Sequence, residues 1–191
     1  MRRWGWIRRQ LQFVRDTRAV AAVEFALILP LLLLLYLGTV EGASLYAADR
    51  KVATLASTMA DLVSREKDGL RESELNDYFA ASDSILLPYT SDGLGQIISL
   101  LAIDEDGVAT VEWSVGRGTS QSRQTGSEFP LGADRQINQL ARNGSGYLVV
   151  AEVTYPYVPI TGFVFQETIN LGRVEYFLPR VPARIGYTPG S

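Results

Sequence analysis

Residues 19–40 read Ala19-Val20-Ala21-Ala22-Val23-Glu24-Phe25-Ala26-Leu27-Ile28-Leu29-Pro30-Leu31-Leu32-Leu33-Leu34-Leu35-Tyr36-Leu37-Gly38-Thr39-Val40, a stretch of 22 residues whose one charge is Glu24. At about 1.5 Å per residue such a helix spans roughly 33 Å, enough for a bilayer hydrocarbon core of about 30 Å. One membrane pass is therefore expected. The flanks orient it. Upstream lie Arg2, Arg3, Arg8, Arg9, Arg15 and Arg18 with Asp16 as the only acid, a net charge of +5 for residues 1–19, and the rest of the chain then carries −8 of the overall −3. Basic residues stay on the cytoplasmic side of a span. The expectation is a basic cytoplasmic leader over 1–19, a transmembrane helix over 20–44 and an exported domain over 45–191.

A cleaved secretory signal fits less well. Such a signal needs small residues at the cleavage site, and the nearest candidate, Glu41-Gly42-Ala43, begins with an acid. A plain anchor leaves Glu24 unexplained. A charge at the centre of a membrane helix costs roughly 2.5–3.5 kcal/mol on insertion scales, less near an end, and an intramembrane carboxylate points to a function.

The order of these residues carries a resemblance. An Arg-rich arm, then Val20-Ala21-Ala22-Val23-Glu24-Phe25-Ala26-Leu27-Ile28-Leu29-Pro30 and a leucine run, is similar to the start of TadE-like proteins, the minor pseudopilins of tight adherence (Flp-type) pilus systems. The motif covers about Thr17 to Tyr46. The resemblance implies cleavage by a prepilin peptidase between Ala19 and Val20, which makes Glu24 the fifth residue of the mature chain. It also implies that Glu24, with Phe25 beside it, acts in assembly by meeting the N-terminal amine of a neighbouring subunit. This sequence departs from the pattern at Ala19, where the family usually has Gly. The partners implied are the prepilin peptidase, other pseudopilins, the pilus assembly platform and the membrane. The location implied is the bacterial inner membrane, with the body periplasmic and able to enter a pilus. The alternative is an uncleaved, membrane-tethered periplasmic scaffold or ligand-sensing module.

Beyond the span, Leu45, Ala48, Val52, Leu55, Met59 and Leu62 recur with a period of 3.5, so one face of a continuing helix is apolar. It is expected to pack on its own domain rather than in a coiled coil. A short helix is predicted from Glu72 to Ala81, and Ser82–Gly95 reads as loop. The period then becomes two. Ile97–Ile103 and Val108–Val115 flank Asp104-Glu105-Asp106-Gly107, a hairpin signal. Gly116–Ser127 reads as a flexible polar loop, Ala133–Arg142 as a helix, and Tyr147–Tyr155 and Phe163–Leu171 as strands, with an edge strand within 174–187. The fold class expected is α+β, pilin-like, with a long N-terminal helix on an antiparallel sheet of about four strands.

The chain has no Cys and no His. That removes thiol nucleophiles, disulfides, imidazole bases and the commonest zinc and haem ligands. The acidic body argues against nucleic acid as a partner. Glu112, Glu152, Glu167 and Glu175 are expected on solvated strand faces rather than as a glycosidase pair. Trp113, Tyr147, Tyr155, Tyr157, Phe163 and Phe165 are expected in the core rather than on a ligand platform. No enzyme, catalytic residue, cofactor or metal site is expected.

Overall fold

A computed structural model describes residues 17–131, 146–181 and 183–190. In chain order the elements are α1 (Thr17–Ser64), β1 (Leu70–Arg71), α2 (Glu72–Leu86), β2 (Gly95–Ile103), β3 (Ala109–Gly118), β4 (Gly146–Tyr157), β5 (Ile169–Phe177) and β6 (Tyr187–Thr188). β2 to β5 form one antiparallel sheet in the order β3-β2-β4-β5, and β1 pairs with β6 in a separate parallel two-residue ladder. The protein is thus α+β, with a long helix packed on a four-stranded sheet. By contacts it divides into two units, one of 1–44 with 159–166 and one of 45–158 with 167–191.

In the larger unit, Ala48, Val52, Leu55, Ala56, Met59, Ala60 and Val63 of α1 are fully or almost fully buried, in one cluster with Ile98, Leu100, Val149, Ala151 and Val153 of the sheet. The buried line reaches Val63 rather than Leu62, which is only half-buried. The stripe drifts because a straight helix advances 3.6 residues per turn and slips against a strict heptad. That drift is what a helix lying on its own sheet requires.

α2 runs to Leu86, five residues beyond the expected end at Ala81, so the first part of the stretch read as loop is helical. Its buried line is Leu75, Phe79, Ser82 and Leu86. Ser82 hid the pattern. Its hydroxyl is buried and donates to Gln96 Oε1 at 2.8 Å, so a polar residue takes a core position at the cost of one hydrogen bond made in place of water.

The hairpin stands where Asp104–Gly107 placed it. Asp104 Oδ1 accepts from the amides of Asp106 (3.1 Å) and Val108 (2.8 Å), and Gly107 has φ 82°, the left-handed region that favours glycine. A bulge follows: Leu100 faces Trp113 and Leu101 faces Val111, leaving Glu112 unopposed. Val111 and Trp113 therefore lie on opposite faces. Trp113 joins the helix side, where its indole donates to Ile185 O at 2.8 Å, while Val111 joins Leu101, Ile103, Ala109, Leu148 and Val150 on the other face.

That second face corrects the flexible-loop reading of Gly116–Ser127. The segment folds back on β3 through Val111 N to Ser127 O (2.9 Å), Gly126 N to Val111 O (2.8 Å) and Phe129 N to Ala109 O (2.8 Å), which lays Phe129 over the second apolar cluster. Arg123 locks it, donating twice to Glu152 at 2.6 Å with its guanidinium 4.6 Å from the Phe129 ring centroid. The last strand also moves. β5 covers Ile169–Phe177 instead of Phe163–Leu171, and 174–177 belong to it rather than to a further edge strand. The helix expected at Ala133–Arg142 lies outside the described residues.

Candidate functional site: the apolar helix and its collar

The first half of α1 has no core to pack on. Every described side chain from Val20 to Tyr36 is exposed, among them Phe25 at 59 %, Leu27 at 75 % and Leu35 at 65 %. An 18-residue window has mean hydropathy 2.5 with none of it buried, so this helix is long and apolar enough to cross a membrane. Pro30 lies inside the helix without ending it, and the Thr39 hydroxyl is satisfied within the helix by donating to Leu35 O at 2.8 Å. Both suit a lipid surround, where polar groups must be paired internally.

The residues expected from the sequence to matter are all on this helix. Ala19 and Val20, either side of the expected cut, are both helical, and Val20 is half-exposed. Glu24 and Phe25 are exposed, and among the described residues no donor or cation pairs with Glu24.

Residues 19–61 match the family of TadE-like proteins. The TadE-like segment takes in the exposed half of α1 and most of its buried stripe, and ends before β1. The match thus covers the helix and none of the sheet. No curated protein and no solved structure matches the chain.

Three residues beyond Gly38, the helix carries a second carboxylate, Glu41, which the sequence shows only as the acid that disfavours cleavage at Glu41-Gly42-Ala43. Glu41 is completely buried. Its Oε1 accepts the Thr161 hydroxyl and the Phe163 amide (3.0 Å), and its Oε2 accepts the amides of Val164 (2.9 Å) and Phe165 (3.0 Å). Consecutive amides converge in this way because Gly162 takes φ 66° just before them, forming the concave N–H cluster that suits an anion. Hydrogen bonds to a charged group are stronger than neutral ones, and the four donors take the place of the water lost around Glu41. One turn back, a Cβ built on Gly38 would stand 3.5 Å from Val164 Cγ2, which puts the loop against the helix there. The uncharged run Pro159–Gln166 therefore forms a collar on the end of the apolar helix.

The collar also revises the aromatic set. Trp113, Tyr155 and Tyr157 are buried and Tyr147 is half-buried, but Phe163 is 68 % exposed and Phe165 only half-buried. Of the four acids, Glu152 pairs with Arg123, Glu112 pairs with Arg184 at 2.8 Å, Glu175 is half-buried and Glu167 is exposed. Period-two reading could not find the collar, since Phe163-Val164-Phe165 has the composition of a strand. The one local signal was Thr161-Gly162 ahead of it.

Proposed function

We propose that this chain is a minor pilin-like subunit of a tight adherence pilus, supporting pilus biogenesis and surface attachment. The observation that carries this reading is the exposed apolar first half of α1 bearing Glu24, a carboxylate with no partner among the described residues, within the stretch that matches TadE-like proteins. The match of residues 19–61 to TadE-like proteins supports the link to tight adherence pilus systems. In this reading residues 1–19 are cytoplasmic, 20–44 cross the inner membrane and 45–191 form the periplasmic body.

Processing by a prepilin peptidase between Ala19 and Val20 creates a new amine one helical turn from Glu24. Glu24 cannot be well solvated in a bilayer, and the amine of a neighbouring subunit offers it an opposite charge where the local dielectric is low. Pairing the two converts a costly isolated charge into a matched one and favours a single axial register between subunits. Phe25 and the leucines around it supply the apolar surface that the neighbour covers. Glu24 therefore serves assembly and not folding.

Two measurements test this. The mature mass with and without the peptidase should differ by residues 1–19, whereas an intact N-terminus in both favours the tethered scaffold. Glu24→Ala should leave insertion, cleavage and abundance near those of the native chain while abolishing most crosslinking to partner pseudopilins and most surface pili, with Glu24→Asp between the two. Native assembly by Glu24→Ala would refute the pairing.

A further inference from the structure

The collar has a feature that pinning Glu41 does not need. Its large exposed side chains are apolar, Ile160 at 67 %, Phe163 at 68 % and Val164 at 44 %, and although Thr161 and Gln166 are exposed too, no charge occurs from Pro159 to Gln166. A soluble loop of this composition would be exposed to water for no gain. Its place on the helix says what covers it. Val164 lies against Gly38, within the last turn of the 22-residue apolar run, and Glu41 holds the amides of 163–165 immediately beyond. Those three amides are the groups that would be costly to leave unpaired near lipid, and each of them is bonded to a carboxylate of the same unit. Leu37 and Gly38, partly covered, are the first residues of the helix to lose exposure.

The geometry points to a membrane-inserting loop: Pro159–Gln166, pinned to α1 by Glu41, places Ile160 and Phe163 in the outer interfacial layer of the bilayer that α1 crosses. The occupant of the apolar surface is lipid. Large apolar side chains with satisfied backbone are suited to the boundary between headgroups and acyl chains. The consequence is a second membrane contact, 120 residues after the first in sequence, that ties the β4–β5 connection to the membrane surface. This inference rests on the anchor reading but not on cleavage or on Glu24.

Because the native chain has no cysteine, single-cysteine variants of the full chain can be labelled cleanly. Leu32→Cys, Ile160→Cys, Phe163→Cys and Glu105→Cys would be spin-labelled, reconstituted in vesicles of phosphatidylethanolamine and phosphatidylglycerol, and probed with oxygen, which partitions into lipid, and a water-soluble nickel chelate. At 160 and 163 the ratio of oxygen to nickel collisions should exceed that at 105 several-fold and fall below that at 32. In Glu41→Ala, with the urea midpoint of the body followed in parallel, the ratio at 163 should drop several-fold. A ratio at 160 and 163 equal to that at 105, with 32 in lipid, overturns the loop and leaves the anchor standing. Labels hidden from both reagents, or spin broadening relieved by dilution with unlabelled chain, identify a second copy as the cover and also overturn it. An aqueous label at 32 overturns the anchor and the loop together. A lipid-embedded 163 that ignores Glu41→Ala overturns the role of Glu41 as the pin.

Discussion

Leu55 and Leu34 are the same residue on the same helix, and the structure assigns them opposite consequences on truncation. Leu55 is 0 % exposed within the cluster that joins α1 to the sheet, whereas Leu34 is 60 % exposed on the apolar half. Leu55→Ala removes three carbons from a close-packed interior that can collapse only in part, and the lost transfer energy plus the cavity come to about 2–5 kcal/mol. Leu34→Ala removes the same carbons from a surface that detergent or lipid covers whether or not the body is folded, so its effect on unfolding should stay within about 0.5 kcal/mol. For a chain of this size each kcal/mol moves the melting midpoint by roughly 2–4 °C, so a loss of about 3 kcal/mol lowers it by some 6–12 °C. The assay is thermal unfolding of the full chain in detergent micelles, followed by near-ultraviolet circular dichroism. Trp113 reports on the body, since it is buried and stacks on Tyr187 with ring centroids 5.3 Å apart. Equal midpoints for Leu55→Ala and Leu34→Ala would refute the packing of the second half of α1 on the sheet.

Two further outcomes follow from charge. A phosphatase fused after Ser191 should be active and one inserted within residues 1–19 inactive, because six arginines resist export; the reverse pattern removes the periplasmic body. Tyr78 donates to Glu66 Oε1 at 2.6 Å, and that hydrogen bond, with burial and the nearby negative charges, pushes the phenol up from 10.0 to about 12. The raised value favours the neutral phenol in the folded state, so its stabilisation is complete below pH 10 and is lost between pH 10 and 12. The difference in unfolding free energy between the native chain and Tyr78→Phe should be flat below pH 10 and shrink above it. A difference unchanged through pH 12 would refute the bond.

Much of the architecture was legible because it rests on local periodicity. The apolar run from Val20, the stripe through Val52, Leu55 and Met59, and the hairpin at Asp104–Gly107 each declare themselves within a few residues of chain. Errors arose where a distant partner altered the local rule. Ser82 broke the apolar pattern of α2 because the partner that makes its burial tolerable, Gln96, is 14 residues away. The polar stretch after β3 looked unstructured because the groups that order it lie on β3 and β4, where Glu152 awaits Arg123. The bulge at Glu112 split Val111 and Trp113 between two faces, which alternation alone assigns to one.

The same division holds at the apolar end of α1. Sequence alone determined that an apolar run of membrane length, residues 19–40, carries one carboxylate, because hydrophobic length and an isolated charge are properties of consecutive residues. Only the tertiary structure decided what Glu41 and Phe163 do. One is a charge just past an apolar run and the other the start of a strand-like triplet, and they are 122 residues apart. Nothing local distinguishes a carboxylate that faces water from one that collects three backbone amides and a hydroxyl. That difference exists only once the chain has returned to the helix, since a buried charge is tolerable when, and only when, the donors that replace its water have been brought to it.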